Sequence, residues 1–236
     1  MFQSFAKVAG AAELLFPIVE DVVLTETGTG AAGDTTHTVD MPLNIQSGEL
    51  ILMFCMGNNA IGAFQVPSGW THIFNLNSGS SNSADSATFR CFFRISDGLE
   101  GPTQVVASVG SQNGCFHTYR ISNNDAAVAP DQRVTAQSVD ATNYTHGSVT
   151  PAWGPDNDLV IIGYAQSRSG SIVNLSAGYG DLLEITAAGT SAQFGCAGRT
   201  ARLEENAVTH SPGDTTIGGG TDRGITCVVP IKPAVA

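Results

Sequence analysis

Two histidines in like settings, Thr36-His37 and Thr145-His146, stand 109 residues apart and are the first residues whose type suggests chemistry. Imidazole is a common metal ligand and the side chain that titrates nearest neutral pH. A metal site needs further ligands at fixed spacing, and neither histidine has a second His or a Cys beside it in sequence. Both read as hydrogen-bonding strand histidines. The cysteines Cys55, Cys91, Cys115, Cys196 and Cys227 lack Cys-x-x-Cys spacing, so no metal is expected. Each lies in an apolar, strand-like stretch and reads as a buried reduced thiol, the alternative being a Cys91–Cys115 or Cys196–Cys227 bridge. Carboxylates are plentiful, among them Glu13, Glu49, Asp158, Glu184, Glu204 and Glu205. Glycoside hydrolysis needs two of them facing each other about 5–10 Å apart. Most lie instead at strand ends or turns, where a solvated cap is the usual role. No Gly-x-Ser-x-Gly elbow, P-loop or His-Glu-x-x-His motif occurs. The expectation is a non-enzyme with no catalytic residues and no cofactor. Trp153, in a Pro-Ala-Trp-Gly-Pro turn, and Tyr144 are the candidates for glycan contact, whereas Trp70 and Tyr179 each follow a Gly turn and read as packing residues.

Composition narrows the partners. Charged residues make up 13% of the chain, about half the roughly 25% of ordinary globular domains, and there are 27 glycines. Long helical bundles and coiled coils are excluded on that ground. The net charge is −11 and the lysines are Lys7 and Lys232, so the clustered cations that neutralise phosphates are missing and nucleic acid is a poor partner. No apolar run approaches the roughly 18 residues of a membrane helix, and the chain reads as soluble with no membrane partner. The opening MFQSFAKVAGAAELLF lacks a charged n-region and a clean cleavage site, and reads as part of the mature protein.

The elements that must position these residues are mostly strands. Phe2, Phe5, Ala9, Ala12 and Phe16 recur every three or four residues and predict a short helix that Pro17 ends. Residues 1–20 form this N-terminal helix or arm. It either caps its own sandwich or inserts into a neighbouring subunit, with Phe2, Phe5, Leu14, Leu15 and Phe16 as the docking side chains. Residues 21–236 form the β-sandwich. Runs rich in Val, Ile, Phe and Thr, punctuated by Gly, Ser, Asn and Pro, predict strands at 19–25, 35–40, 49–56, 70–75, 87–95, 103–109, 114–121, 132–138, 144–150, 158–165, 181–186, 192–203, 206–211 and 224–231. Residues 77–85 and 215–224 read as turn-rich loops.

An internal repeat organises these strands. A shift of 109 residues lays Thr36-His37 on Thr145-His146, Pro42 on Pro151, Glu49 to Met53 on Asp158 to Ile162, and Gly69-Trp70 on Gly178-Tyr179. Small further shifts lay Cys91 on Cys196 and Cys115 on Cys227. Two halves, about 22–124 and 131–236, share one strand plan. The runs Leu50 to Phe54 and Leu159 to Ile162 are apolar without alternation, as strands covered on both faces are. The expected fold is a mainly-β, jelly-roll-like antiparallel β-sandwich built from two quasi-repeated halves. Interlocked halves are the favoured arrangement, with two tandem sandwiches divided near Ala126–Pro130 as the alternative.

The blocks SGELILMF (47–54), VPSGWTHI (66–73), CFFRISDGLEGPTQVVASV (91–109) and CFHTYRISN (115–123), followed by a degenerate second copy closing on VVPIKPA (228–234), resemble a β-rich family of tailed-phage and prophage virion proteins. The resemblance covers about 33–235. The second copy departs from it, reading Ser176-Ala177-Gly178-Tyr179 where the first has Pro-x-Gly-Trp. The resemblance implies a non-enzymatic virion structural protein, made in the host bacterial cytoplasm. Its implied role is capsid decoration, on a major capsid or tail protein, with a homotrimer as the first expectation. The competing expectation is a tail-fibre or tail-tip adhesin that binds host carbohydrate.

Overall fold

β-branched and aromatic residues dominate the chain from Ile18 onward, and their restricted χ1 angles suit a pleated sheet better than a helix. The computed structural model describes residues 15–28, 33–58, 63–79, 86–167, 171–187, 196–218 and 222–235, so all but the last two residues of the helix expected over 1–16 lie outside the described residues. Among the described residues every regular element is a β-strand. The first half contains β1 (Ile18–Thr27), β2 (Asp34–Asp40), β3 (Leu50–Gly57), β4 (Thr71–Ser78), β5 (Ala87–Ile95), β6 (Thr103–Gln112) and β7 (Gly114–Ser122). The second contains β8 (Arg133–Ala141), β9 (Asn143–Tyr144), β10 (Asn157–Gln166), β11 (Ser171–Asn174), β12 (Gly180–Ala187), β13 (Cys196–Asn206), β14 (Thr215–Gly218) and β15 (Asp222–Ile231). Two expected strands are corrected. Beyond Tyr144, which ends β9, and Asn206, which ends β13, residues 145–150 and 207–211 form loops joined by a bridge between Val149 and His210, whereas 215–218, read as loop, is a short strand.

Strand order repeats between the halves. The first large sheet runs β1-β7-β3-β5-β4 and the second β8-β15-β10-β13-β12, every neighbouring pair antiparallel. Each half adds a small sheet, β2-β6 in the first and β11-β14-β9 in the second. The chain leaves the large sheet for the small one and returns, at β1 to β3 and again at β5 to β7, which is the alternation of a jelly roll. The degenerate turn also keeps its form. Trp70 N–H donates to Pro67 O and Tyr179 N–H to Ser176 O, with Gly69 at φ 80° and Gly178 at φ 86°. Both are turns whose third residue must have positive φ, so the glycine matters and the missing proline does not.

The halves join by packing rather than by interlocking, a correction to the favoured expectation. Among the described residues strand pairing stays within each half, apart from a bridge between Asn124 and Pro233. The two large sheets lie face to face. Leu50, Leu52, Phe54 and Met56 of β3 share one core with Leu159, Ile161 and Ala165 of β10. The alternate residues Ile51, Met53 and Cys55 face Val39, Phe64, Trp70 and Val106 within the first half. Val160, Ile162 and Tyr164 likewise face Tyr144 and Ile217 in the second. Four layers of sheet result, and the central strands of both halves are covered on both faces, which accounts for their unbroken apolar runs. The interface is self-complementary: β3 meets β10, β7 on β13 mirrors β15 on β5, and β1 on β12 mirrors β8 on β4. A two-fold related pair of identical subunits would pack in this way.

Candidate functional site

A buried polar cluster forms where β10 begins and β13 ends. Asp158 and Glu205 are direct cross-strand partners there, and two carboxylates so placed repel. His210, on the loop after β13, lies between them. Its Nε2 is 2.8 Å from Asp158 Oδ2 and its Nδ1 is 2.8 Å from Glu205 Oε2. Trp153 Nε1–H donates to the other Asp158 oxygen at 3.1 Å. His210 and Asp158 are fully buried. Burial pulls the imidazole pKa down, but hydrogen bonds and charge from Asp158 and Glu205 outweigh it and hold it above its ordinary value. When protonated, the imidazole donates to both acids and bridges them. The backbone reinforces the clamp, with Val149 N–H donating to His210 O at 3.0 Å and His210 N–H to Val149 O at 2.8 Å.

The first half has an analogue built from other residues. Glu49, equivalent to Asp158 in the repeat, accepts from Gln46 N–H at 2.6 Å and lies 3.4 Å from Arg120 Nε. In both halves a buried acid at the start of the central strand ties down the loop that leads into it. Both imidazole nitrogens of His210 are taken by carboxylates, which leaves neither to accept a proton from a nucleophile.

The groove between β1 and β12, of about 280 Å³, is lined by Glu20, Asp21, Tyr119, Asp181 and Arg202. Each of its acids already holds a partner: Glu20 accepts from Ser122 Oγ at 2.5 Å, Asp21 from Leu43 N–H at 3.2 Å, and Asp181 from Arg202 Nε at 2.7 Å. Among the described residues no three His, Cys, Asp or Glu side chains gather as a metal-ligand set. His37 instead bonds Thr27 Oγ1 through Nδ1 and Ser108 Oγ through Nε2, while His146 Nε2 bonds the Tyr164 hydroxyl.

The residues expected to act at the surface separate into three groups. Phe2, Phe5 and Leu14 lie outside the described residues. Leu15 is 56% exposed and Phe16 is half-buried. The glycan pair is corrected at Tyr144, which is 1% exposed and packs with Tyr164 and Ile217, leaving its ring no face for a sugar. Trp153 is half-buried, with its indole N–H committed to Asp158.

A second feature, the terminal corner, emerges only in three dimensions. Asn123, at φ 55° just after β7, donates through Nδ2 to Leu15 O at 2.9 Å and to Phe16 O at 2.8 Å. Its own carbonyl accepts from Ala234 N–H at 2.8 Å. One residue thereby fixes the first and last described segments together, with Leu15, Ile18 and Val235 exposed around it. The preference of Asn for positive φ, within the Ile-Ser-Asn-Asn run, was the sequence signal for this corner. Compared with family models, curated proteins and solved structures, the chain matches none.

Proposed function

We propose that the protein is a non-enzymatic structural component of a tailed-phage particle, a capsid decoration protein held by protein–protein contacts. The observation that carries this reading is the terminal corner. Leu15 at 56%, Ile18 at 47% and Val235 at 76% exposure present apolar side chains on backbone held by Asn123 and, at Ile18, by pairing with Ser122. Exposed apolar side chains on an ordered backbone form an interaction surface, since docking there costs little ordering entropy. The apolar residues Phe2, Phe5 and Leu14 precede this corner in the chain and extend the docking segment. The acidic composition, with a net charge of −11, keeps such a surface off nucleic acid. The carbohydrate-binding alternative loses its aromatic pair with the burial of Tyr144.

Co-sedimentation with particles assembled without the protein tests the reading. The full chain is expected to bind saturably as a homotrimer. A chain lacking residues 1–14 and carrying Leu15→Ser and Ile18→Thr is expected to bind at least tenfold more weakly. No binding by the full chain, with retention on host polysaccharide instead, would overturn decoration in favour of an adhesin.

A further inference from the structure

Across the interface between the halves two sulfur atoms meet. Cys115 Sγ, near the start of β7, lies 3.1 Å from Cys196 Sγ, at the start of β13. Both side chains are completely buried and both are thiols. The surrounding backbone holds them in place. Cys115 Sγ accepts from Ala187 N–H at 3.3 Å and contacts Cys196 O at 3.4 Å, while Cys196 Sγ reaches Asn113 O at 3.5 Å. A disulfide is about 2.05 Å long, so the sulfurs need close by only about 1 Å.

The two bridges that the sequence offered as the alternative to reduced thiols are sterically excluded. Cys91 and Cys115 lie on β5 and β7, which flank β3 on opposite sides, and Cys196 and Cys227 flank β10 in the same way. Two strand spacings of about 4.8 Å put their Cα atoms beyond the roughly 7 Å a disulfide can span. The repeat provides an internal comparison. Cys227 on β15 and Cys91 on β5 are the counterparts of Cys115 and Cys196, and they too belong to strands that meet across the interface. There, however, the Phe89 ring and Cys227 Sγ crowd the same space above Gly163.

We infer that Cys115 and Cys196 are an oxidisable pair whose disulfide staples the two halves of the molecule together. With a small-molecule disulfide RSSR as oxidant, one thiol gives up its proton and its thiolate attacks RSSR, expelling one RS⁻. The second thiolate then attacks the mixed disulfide and expels the other RS⁻. Two protein thiols lose two electrons and two protons, and RSSR becomes two RSH. Burial raises the Cys196 thiol well above its ordinary pKa. Exchange therefore takes place while the halves are apart, during folding or opening, and the closed interface then shelters the bond from reductant. The inference is independent of the particle role proposed above.

The test is to refold the urea-unfolded full chain either in a glutathione/oxidised glutathione buffer or in excess reductant. Both samples are quenched with N-ethylmaleimide under denaturing conditions and mapped by non-reducing peptide mass spectrometry. The oxidised sample is expected to carry three alkylated cysteines and one linked peptide pair, Cys115 with Cys196. Its Tm should exceed that of the reduced sample by roughly 5–15 °C. Cys91→Ala should retain the linkage and the shift, whereas Cys196→Ala should lose both. Five alkylated cysteines in wild-type chain that circular dichroism shows to be refolded would overturn the inference, as would a linkage that includes any other cysteine. The wild-type map alone decides the matter if a variant fails to fold.

Discussion

His210 shows how one side chain can make an otherwise unfavourable register acceptable. Asp158 and Glu205 face each other on paired strands, and the imidazolium between them turns repulsion into two short hydrogen bonds. The raised pKa of His210 sets the sign of the pH dependence. Its contribution is fully present below about pH 6.5, the value expected in the unfolded chain, and is lost as pH rises through the higher folded value. His210→Gln is expected to cost about 3 kcal/mol at pH 6, because it leaves a buried carboxylate without its cation. Urea midpoints of wild type and variant should converge between pH 6 and pH 9, and a constant gap would show that the charge on His210 does not matter. At Gly163 the controlling factor is volume. A Cβ there would stand 2.8 Å from the Phe89 ring and 2.9 Å from Cys227 Sγ, both in the tightly packed shared core. Gly163→Ala should destabilise by about 1–3 kcal/mol. Gly180→Ala, where a Cβ meets nothing within 4 Å, should change stability by no more than about 0.5 kcal/mol in the same denaturation experiment.

Among the elements, β3 and β10 carry the architecture. Each is central in its sheet and lies between two apolar layers, so both parities of side chain are buried. Ile51→Ala and Leu52→Ala, on opposite faces of β3, should each cost about 2–5 kcal/mol. In a strand with one solvated face only one of the pair would do so, and guanidinium denaturation of the two variants separates these cases. These central strands were legible in the sequence because an unbroken Leu-Ile-Leu-Met-Phe run permits little else. The short strands were less so. β11 and β14 have four residues each, Ser-Ile-Val-Asn and Thr-Thr-Ile-Gly, and exist because β14 pairs with β11 on one side and β9 on the other. The predicted strands at 144–150 and 206–211 have suitable residues, but beyond Tyr144 and Asn206 they hold each other as loops through the Val149–His210 bridge. The candidate site was legible only in part. Asp158 and Glu205 stood out as carboxylates at strand ends, but their opposition is a matter of register, and His210 acquires its role only through it.

For the whole molecule, the repeat revealed the duplicated strand plan, and the packing of the copies supplied the rest. A 109-residue shift shows that the two halves share one strand plan, which their large sheets carry out as one strand order. It does not show which faces meet, because apolar residues on either face of β3 read alike. The structure selects the large-sheet faces and arranges them about a two-fold relation, and that relation brings Cys115 of one half to Cys196 of the other. Repeated positions have since diverged: Phe54 in the first half corresponds to Gly163 in the second, and Arg120 serves Glu49 where His210 serves Asp158.

The corner at Asn123 has a topological consequence. Leu15, Phe16 and Ala234 all converge on this residue, which also begins the connection from β7 to β8. Between Leu15 and Ala234 the path is therefore close to a figure of eight, with each half a loop that leaves from this crossing and returns to it. The path could be rejoined between 235 and 15 and opened within 126–130 without disturbing a sheet. Which half precedes the other along the backbone is then a matter of genetic order, and the folded object is indifferent to it.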